Sequence, residues 1–449
     1  MHSETLIRLQ QCLSVAMNPT NFSAEDQQST LSWISSFKNS PEALSLSLSY
    51  LDQVSTTLSF VNEIIFFFLQ QLTTHLCSYT SSSQILSETQ WLTLQQSLFR
   101  LYPLLSSDFP RYLRTKVVVL LIHFIQIRLN TLSFCPFDFL NQHSGLEPND
   151  EVKQDNFLIF HYNLDEIVIV YNEGRVSEEI QQNMLIKAHI KDSETGTKIL
   201  HKLCQLLECS SSSIVQLSLK TLAQYFGWLD PVKSLETCLP ALENFFKNFK
   251  FDKTHIDVII CYLSCFEELL HKRCESETKY FIISTIFSKY NNLILPIFQM
   301  FHDQEEVVAS LSSLFSEAVL SVYNLIKESP SQLNTKELVD VFSFVVGLCI
   351  KIFKFAGSTV NLIVAFNCCL IEQLKTNGNF KNVVLEQWLP QIYSASLTRV
   401  LVTEQEFLNF SENFFSQSAE TDSFFAFRFS LSSFLTVCFQ TFQEQSLYN

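Results

Sequence analysis

Glycine is scarce in this sequence, 7 among 449 residues. So few exclude folds built on glycine-rich turns or phosphate-cradling loops, among them dinucleotide-binding sheets, P-loop enzymes and propellers. Charged residues are also few, at 17%, against 47% hydrophobic, which leaves ample material for a continuous core and excludes disorder. Membrane-length apolar runs are missing too. VVVLLIHFIQI (117–127) and VFSFVVGLCI (341–350) fall short of the roughly 20 residues a bilayer requires, and Arg128 and Lys351 close them. No membrane insertion is expected. The opening MHSETLIRLQQCLSV lacks the basic segment and apolar core of a secretory leader. The 13 cysteines are therefore expected to be reduced and intracellular. Cys204, Cys238, Cys261, Cys265, Cys349 and Cys438 lie in apolar periodic runs, as small buried hydrophobes do. Cys209, Cys274 and Cys368-Cys369 show neither CxxC spacing nor companion histidines, so no metal site is expected.

Catalytic patterns are absent as well. His75, His123, His189, His201, His255 and His271 fall on separate predicted helices without partners at ligand spacing. No GxSxG elbow occurs. The acid pairs Glu178-Glu179, Glu267-Glu268 and Glu305-Glu306 are sequence neighbours, which diverge on a helix and so suit solvation better than acid–base work. Neither a catalytic residue nor a cofactor is expected. The net charge of −15 disfavours nucleic-acid binding by the surface as a whole. It leaves room for a local basic patch and suits a basic partner surface.

What the sequence does contain is amphipathic helix pairs joined by polar turns. In TKILHKLCQLLE (197–208), Ile199, Leu203 and Leu206 form one stripe. CSSSS follows as a turn whose serines can cap the next helix. IVQLSLKTLAQYFGWL then places Val215, Leu219, Leu222, Phe226 and Leu229 at helical spacing, and Pro231 is expected to end the unit. Ile256, Ile259, Leu263, Phe266 and Leu270 repeat the pattern. Residues 59–76 and 115–130 are apolar over wide arcs, as helices stacked between two neighbours are. Turn clusters stand at 39–43, 210–214, 228–232 and 327–331. A period near about 40 residues is in the HEAT and armadillo range. The fold class read from this is all-α, an α-solenoid superhelix of HEAT-like helix-pair repeats, in preference to a single-core helical globule. Departures from the pattern are 134–156, read as a polar inter-helix loop with an acidic end, the acidic, Ser-rich stretch 401–425 and the passage YNLDEIVIVYNEGRVSEEIQQNMLIKAHIK (162–191). That last passage opens on a strand-like run (Ile167, Val168, Ile169, Val170), breaks at Asn172 and Gly174, and resumes as a charged helix. It reads as an inter-repeat loop and the start of the next repeat.

From about residue 30 to 290 the chain resembles the N-terminal half of the exportin-T family, tRNA export receptors of the importin-β superfamily. Ser40-Pro41 and Phe67-Phe68-Leu69-Gln70 match the family's first repeats. Arg114, Lys116, Pro136, Phe137 and Leu140 match a later motif, although Cys135-Pro136 stands where the family has Trp-Pro. The most specific match is Asp165, Glu166, Val168, Ser177, Glu178, Glu179, Asn183, Leu185, Ile186 and Lys187. Trp228-Leu229-Asp230 stands for the family's W-I-D. Typical members continue well beyond Asn449, which makes this chain either a fragment or a shortened member.

The resemblance implies N-terminal importin-β-like repeats over 1–140 that bind Ran, and further cargo-binding repeats over 141–449. It implies export of tRNA cooperatively with Ran-GTP through contacts with pore nucleoporins, by a monomer shuttling between nucleus and cytoplasm. The expected Ran-binding residues are Gln70, Gln71, His75, Arg111, Arg114 and Lys116. The expected RNA-binding residues are Lys187, Lys191, Lys247, Lys250 and Lys253. The last three interleave with Phe245, Phe246, Phe249 and Phe251, a pattern suited to phosphates and stacked bases or, equally, to solvated lysines over a buried aromatic stripe. Two alternatives keep the fold: an importin-β-type receptor for another cargo, and a HEAT scaffold for protein partners.

Overall fold

The computed structural model describes residues 2–328, apart from 78–85, 145–149, 170–176, 193, 290–292 and 302, and a few single positions beyond. The expected helix at 341–350, the stretch 401–425 and Cys349, Cys368, Cys369 and Cys438 lie outside the described residues, as does most of the 327–331 turn cluster. The described residues are α-helical, with short 3-10 and π turns and no strand. The chain divides into two compact units after Lys202.

The first unit holds α1 (His2–Met17), α2 (Ala24–Lys38), α3 (Pro41–Thr57), α4 (Asn62–Cys77), α5 (Glu88–Leu101), α6 (Arg111–Arg128), α7 (Pro136–Gln142), α8 (Glu151–Leu164) and α9 (Ser177–Asp192). Their starts follow from local chemistry. Ser40 caps α3 by accepting from the Ala43 amide, and Pro41 supplies a first residue whose missing N–H costs nothing. Ser87 and Gln90 form a reciprocal capping box on α5. Asp150 caps α8. Consecutive helices pair, and alternate helices stack: α3 on α5, α4 on α6, and α6 on α8.

α10 (Thr195–Leu206) leads into the second unit, with α11 (Ser212–Trp228), α12 (Pro231–Asn248), α13 (Ile256–His271), α14 (Ser276–Ser288), α15 (Leu295–Phe301) and α16 (Glu305–Glu328). Here α11 stacks on α13 and α13 on α16. Pro231 does not end a helix; it opens α12, with Asp230 accepting from the Lys233 amide at 2.8 Å. Proline's fixed φ serves a helix start as well as a stop. The serine cap expected on α11 is also absent, because Ser211 hydrogen-bonds Ser213 instead.

The repeat is longer than the turn clusters suggest. Polar bonds between stacked helices join residues 45 apart on α3 and α5 (Asp52–Ser97) and 46 apart on α4 and α6 (Gln70–Lys116, Cys77–His123). On α11 and α13 the separation is again 46 (Leu219–Cys265), and it is 46 between Glu267 of α13 and Ser313 of α16. An offset that stays constant along a pair means parallel helices in fixed register, since antiparallel neighbours would change it at every turn.

Stacking explains the wide apolar arcs. On α6, Val117, Val118, Leu120, Leu121, Ile122, Phe124 and Ile125 are all fully buried. Cys238 and Cys265 are buried as well, and desolvation pushes the Cys265 thiol pKa well up. One segment among the described residues, Glu305–Leu325, is long and apolar enough to cross a bilayer. Its Val307, Leu311, Leu314, Phe315, Ala318, Val319 and Val322 are buried within the second unit, as in a core helix.

The strand-like run is not a strand. Asp165–Ile169 is a π-helical turn that extends α8, with Asp165 and Val168 buried. The loop expected after it, at Asn172 and Gly174, lies outside the described residues.

Two predictions follow from this packing. α3 ends with Leu58 at φ 53°, a left-handed conformation costly for a side chain, and the residue is 44% exposed. Leu58→Gly should raise stability by about 1 kcal/mol in thermal unfolding. His161 is fully buried beside Phe157 and Phe160, and desolvation lowers its pKa from 6.5 to about 3. The unfolded chain therefore takes up this proton first. Stability is retained above pH 6.5 and lost as pH falls toward 3, by up to about 1.4 kcal/mol per pH unit. Burial shifts His75 and His123 the same way, so His161→Phe should flatten the decline without abolishing it, read from denaturant midpoints across that range.

Candidate interaction surface on α4 and α6

The parallel register of α4 and α6 builds a row of matched side chains. The rings of Phe66 and Tyr112 meet at 5.9 Å. One turn on, Lys116 Nζ donates to Gln70 Oε1 at 2.7 Å and also sits 5.6 Å from the centre of the Phe66 ring. Phe66 is 37% and Tyr112 51% exposed, so this is a displayed aromatic pair with an ammonium beside it. Such a surface favours a partner that offers an acidic group next to an apolar one.

At the far end of the row, Cys77 Sγ lies 3.5 Å from His123 Nε2, and His123 Nδ1 lies 3.1 Å from Gln126 Oε1. Gln126 donates to Asn183 Oδ1 at 2.7 Å. That direction makes Nδ1 the protonated nitrogen and leaves Nε2 to accept from the thiol. Burial lowers the His123 pKa and raises that of Cys77, so the neutral pair persists. This arrangement ties α4, α6 and α9 together; it does not activate a nucleophile.

The expected Ran-binding residues divide by role. Gln70 and Lys116 are joined directly. Gln71 and His75 are half-buried on α4, and burial lowers the His75 pKa. Arg111 is exposed and pairs with Asp155 of α8 at 3.0 Å. Arg114 is buried: it pairs with Asp155 at 2.9 Å and donates to Asn156 Oδ1 at 2.6 Å and to the Phe109 carbonyl at 3.2 Å. It braces α6 against α8 and is not displayed. Phe66 was not singled out from sequence, although its separation of 46 from Tyr112 repeats the Gln70–Lys116 offset.

The expected RNA-binding lysines fall in both units. In the first, Lys187 donates to the Ile169 carbonyl at 2.9 Å, closing the π turn, and Lys191 is exposed on the last turn of α9. In the second, Lys247, Lys250 and Lys253 are exposed, and Lys253 pairs with Asp303 at 2.6 Å. The interleaved rings pack on one another: Phe245 on Phe249 at 4.8 Å, Phe246 on Phe251 at 5.1 Å, and Phe246 on the buried Tyr262 at 5.7 Å. Exposed lysines thus lie beside a run of mutually packed rings, of which Phe246, Phe249 and Phe251 are half-buried. Among the described residues no group of three or more His, Cys, Asp or Glu is placed to hold a metal.

No protein-family model matches the chain, and no curated protein matches it.

The two kinds of arginine give a direct test. Arg114→Ala should destabilise the fold by about 2–4 kcal/mol, because it strips Asn156 and the Phe109 carbonyl of a buried charged donor and leaves Asp155 to the exposed Arg111. Arg111→Ala, at an exposed charge, should cost no more than about 1 kcal/mol, and Lys116→Ala, which removes a half-buried ammonium and its bond to Gln70, about 1–2 kcal/mol. Chemical denaturation of the three variants measures both.

Proposed function

We propose that this chain is a nuclear export receptor for tRNA that binds its cargo cooperatively with Ran-GTP and carries it past nucleoporins between nucleus and cytoplasm. The observation that carries this reading is the run of matched positions from Asp165 to Lys187. In the fold these positions form one joint. Asp165 and Ile186 are buried, Asn183 accepts from Gln126 of α6, and Lys187 holds the Ile169 carbonyl.

The mechanism is a coupling between ligands. Ran on the early repeats, at the Phe66–Tyr112–Lys116 face, biases how the repeats stack, and the stacking sets the spacing of groups that meet tRNA. Each ligand then raises the affinity of the other by the same factor. Recognition of tRNA rests on helical shape and backbone, because A-form helices display little readable base edge.

One observation favours a second reading, a HEAT scaffold for protein partners. The rings of Phe245, Phe246, Phe249 and Phe251 pack on one another and on Tyr262, which gives them a structural role without RNA. A scaffold would ignore nucleotide state.

Filter or calorimetric titration of tRNA, with and without Ran-GTP, decides between them. The receptor reading predicts at least about fivefold tighter tRNA binding with Ran-GTP, the lower end of typical coupling energies. Equal affinities would remove it. Capture of Ran-GTP and Ran-GDP to the same extent would favour the scaffold.

A further inference from the structure

In the second unit an open cleft of about 580 Å³ lies between the end of α13, the start of α14 and the side of α16. Its size is in the range of small-molecule sites, roughly 300–1,000 Å³. Basic side chains gather there: Lys272, Arg273 and Lys279 line it together with His271, and Glu317 is the one carboxylate among its lining residues. His271 faces Glu317 at 3.4 Å.

A helix end normally brings negative carbonyls to such a place. Here those carbonyls are already covered. Lys279 Nζ donates to the Leu270 carbonyl and, at 2.8 Å, to that of Lys272. Ser321 Oγ also donates to Leu270, at 3.0 Å. Lys272 Nζ reaches back to the carbonyls of Leu229 and Phe226 at the end of α11. What remains facing the cleft is positive. Arg273 is exposed and makes no ion pair among the described residues. α14 opens on Glu275, whose side chain caps no amide, so its first-turn N–H groups have no partner from a cap. Lys279 is half-buried, its ammonium meets carbonyl oxygens, and desolvation lowers its pKa. An ammonium in that position gains from an anion beside it.

We propose that this cleft is a phosphate-binding site, with the phosphate held between the Arg273 guanidinium, the Lys279 ammonium and the first turn of α14. Guanidinium takes two phosphate oxygens in a planar fork, and the ammonium and amides supply the remaining donors. Glu277, in that first turn, and Glu317 oppose the anion. The site is thereby limited to ligands whose phosphate reaches Arg273.

Pyrophosphate is the probe, titrated calorimetrically into the full chain at matched ionic strength in chloride, without tRNA or Ran. Saturable binding to one site is expected. Arg273→Ala should weaken it by about tenfold or more, as loss of a bidentate charge-assisted contact does, and Arg273→Lys should restore part of the loss. Glu317→Gln should tighten it. Arg273 is exposed, so an unchanged melting temperature separates lost binding from lost fold. No saturable binding, or equal affinity in wild type and Arg273→Ala, would overturn the site. A competition arm identifies the natural source: displacement of pyrophosphate by tRNA assigns the site to a nucleic-acid phosphate, and lack of displacement to a free phosphate metabolite. The inference stands apart from the transport reading, because the probe experiment contains neither of that reading's partners.

Discussion

A helix that is apolar on two sides cannot stand alone, and this constraint shapes every other part of the structure. α6 buries eight aliphatic and aromatic side chains completely, spread over more than one face. α13 does the same with Ile259, Leu263, Phe266, Leu269 and Leu270. Each such side chain contributes about 1.5–3 kcal/mol when removed from water, and no single neighbour covers them all. Only a file of parallel helices does. Each repeat therefore depends on the next, and the fold is a property of the series.

Parallel stacking then dictates where polar groups go. A side chain that bridges two stacked helices must find its partner about one repeat away, which is why such bonds cluster at separations of 45 and 46 residues. The bridging groups that end up buried are the costly ones to disturb. Arg114 is held by a carboxylate, an amide oxygen and a carbonyl, so its charge is compensated inside the core. Lys116, two residues further along the same helix and so on another side of it, is half-buried and spends its charge on Gln70 and the exposed Phe66 ring.

The scarcity of glycine has a structural counterpart at the helix ends. Helices commonly close on a left-handed glycine that satisfies the last carbonyls. With few glycines available, other devices appear. The ends of α11 and α13 are closed by Lys272 and Lys279. The end of α3 is closed by a leucine forced to positive φ. Lysines recruited as caps bring positive charge to one edge of the stack, and the cleft beside α14 is a consequence. The same substitution of cation for glycine that stabilises the ends makes that edge a place for an anion.

Much of the fold was legible because its signals are local. Ser40-Pro41 announces a helix start by the chemistry of those two residues, and the 3–4 spacing through Val215–Phe226 identifies a buried face with no knowledge of its neighbours. The misreadings share one cause. Pro231 has a ring that can stop a helix or start one, and here it starts α12, two residues past Leu229, which caps the end of α11. Ile167–Val170 is a β-branched run that suits a strand, yet its first three residues close a π turn because Lys187, 18 residues on, reaches the Ile169 carbonyl. Arg111 and Arg114 look alike in sequence, and only Asp155 and Asn156, about 40 residues away, decide that Arg114 turns inward. The surface pair Phe66–Tyr112 was hidden for the same reason. Its two members are unremarkable singly and become a site only at an offset of 46. That offset depends on the length of a whole repeat, loops included, and turn clusters mark where helices begin without marking which helices will lie side by side. Once one cross-repeat bond is known, the register carries the rest: the step from Gln70–Lys116 leads to Phe66–Tyr112 in one direction and to Cys77–His123 in the other.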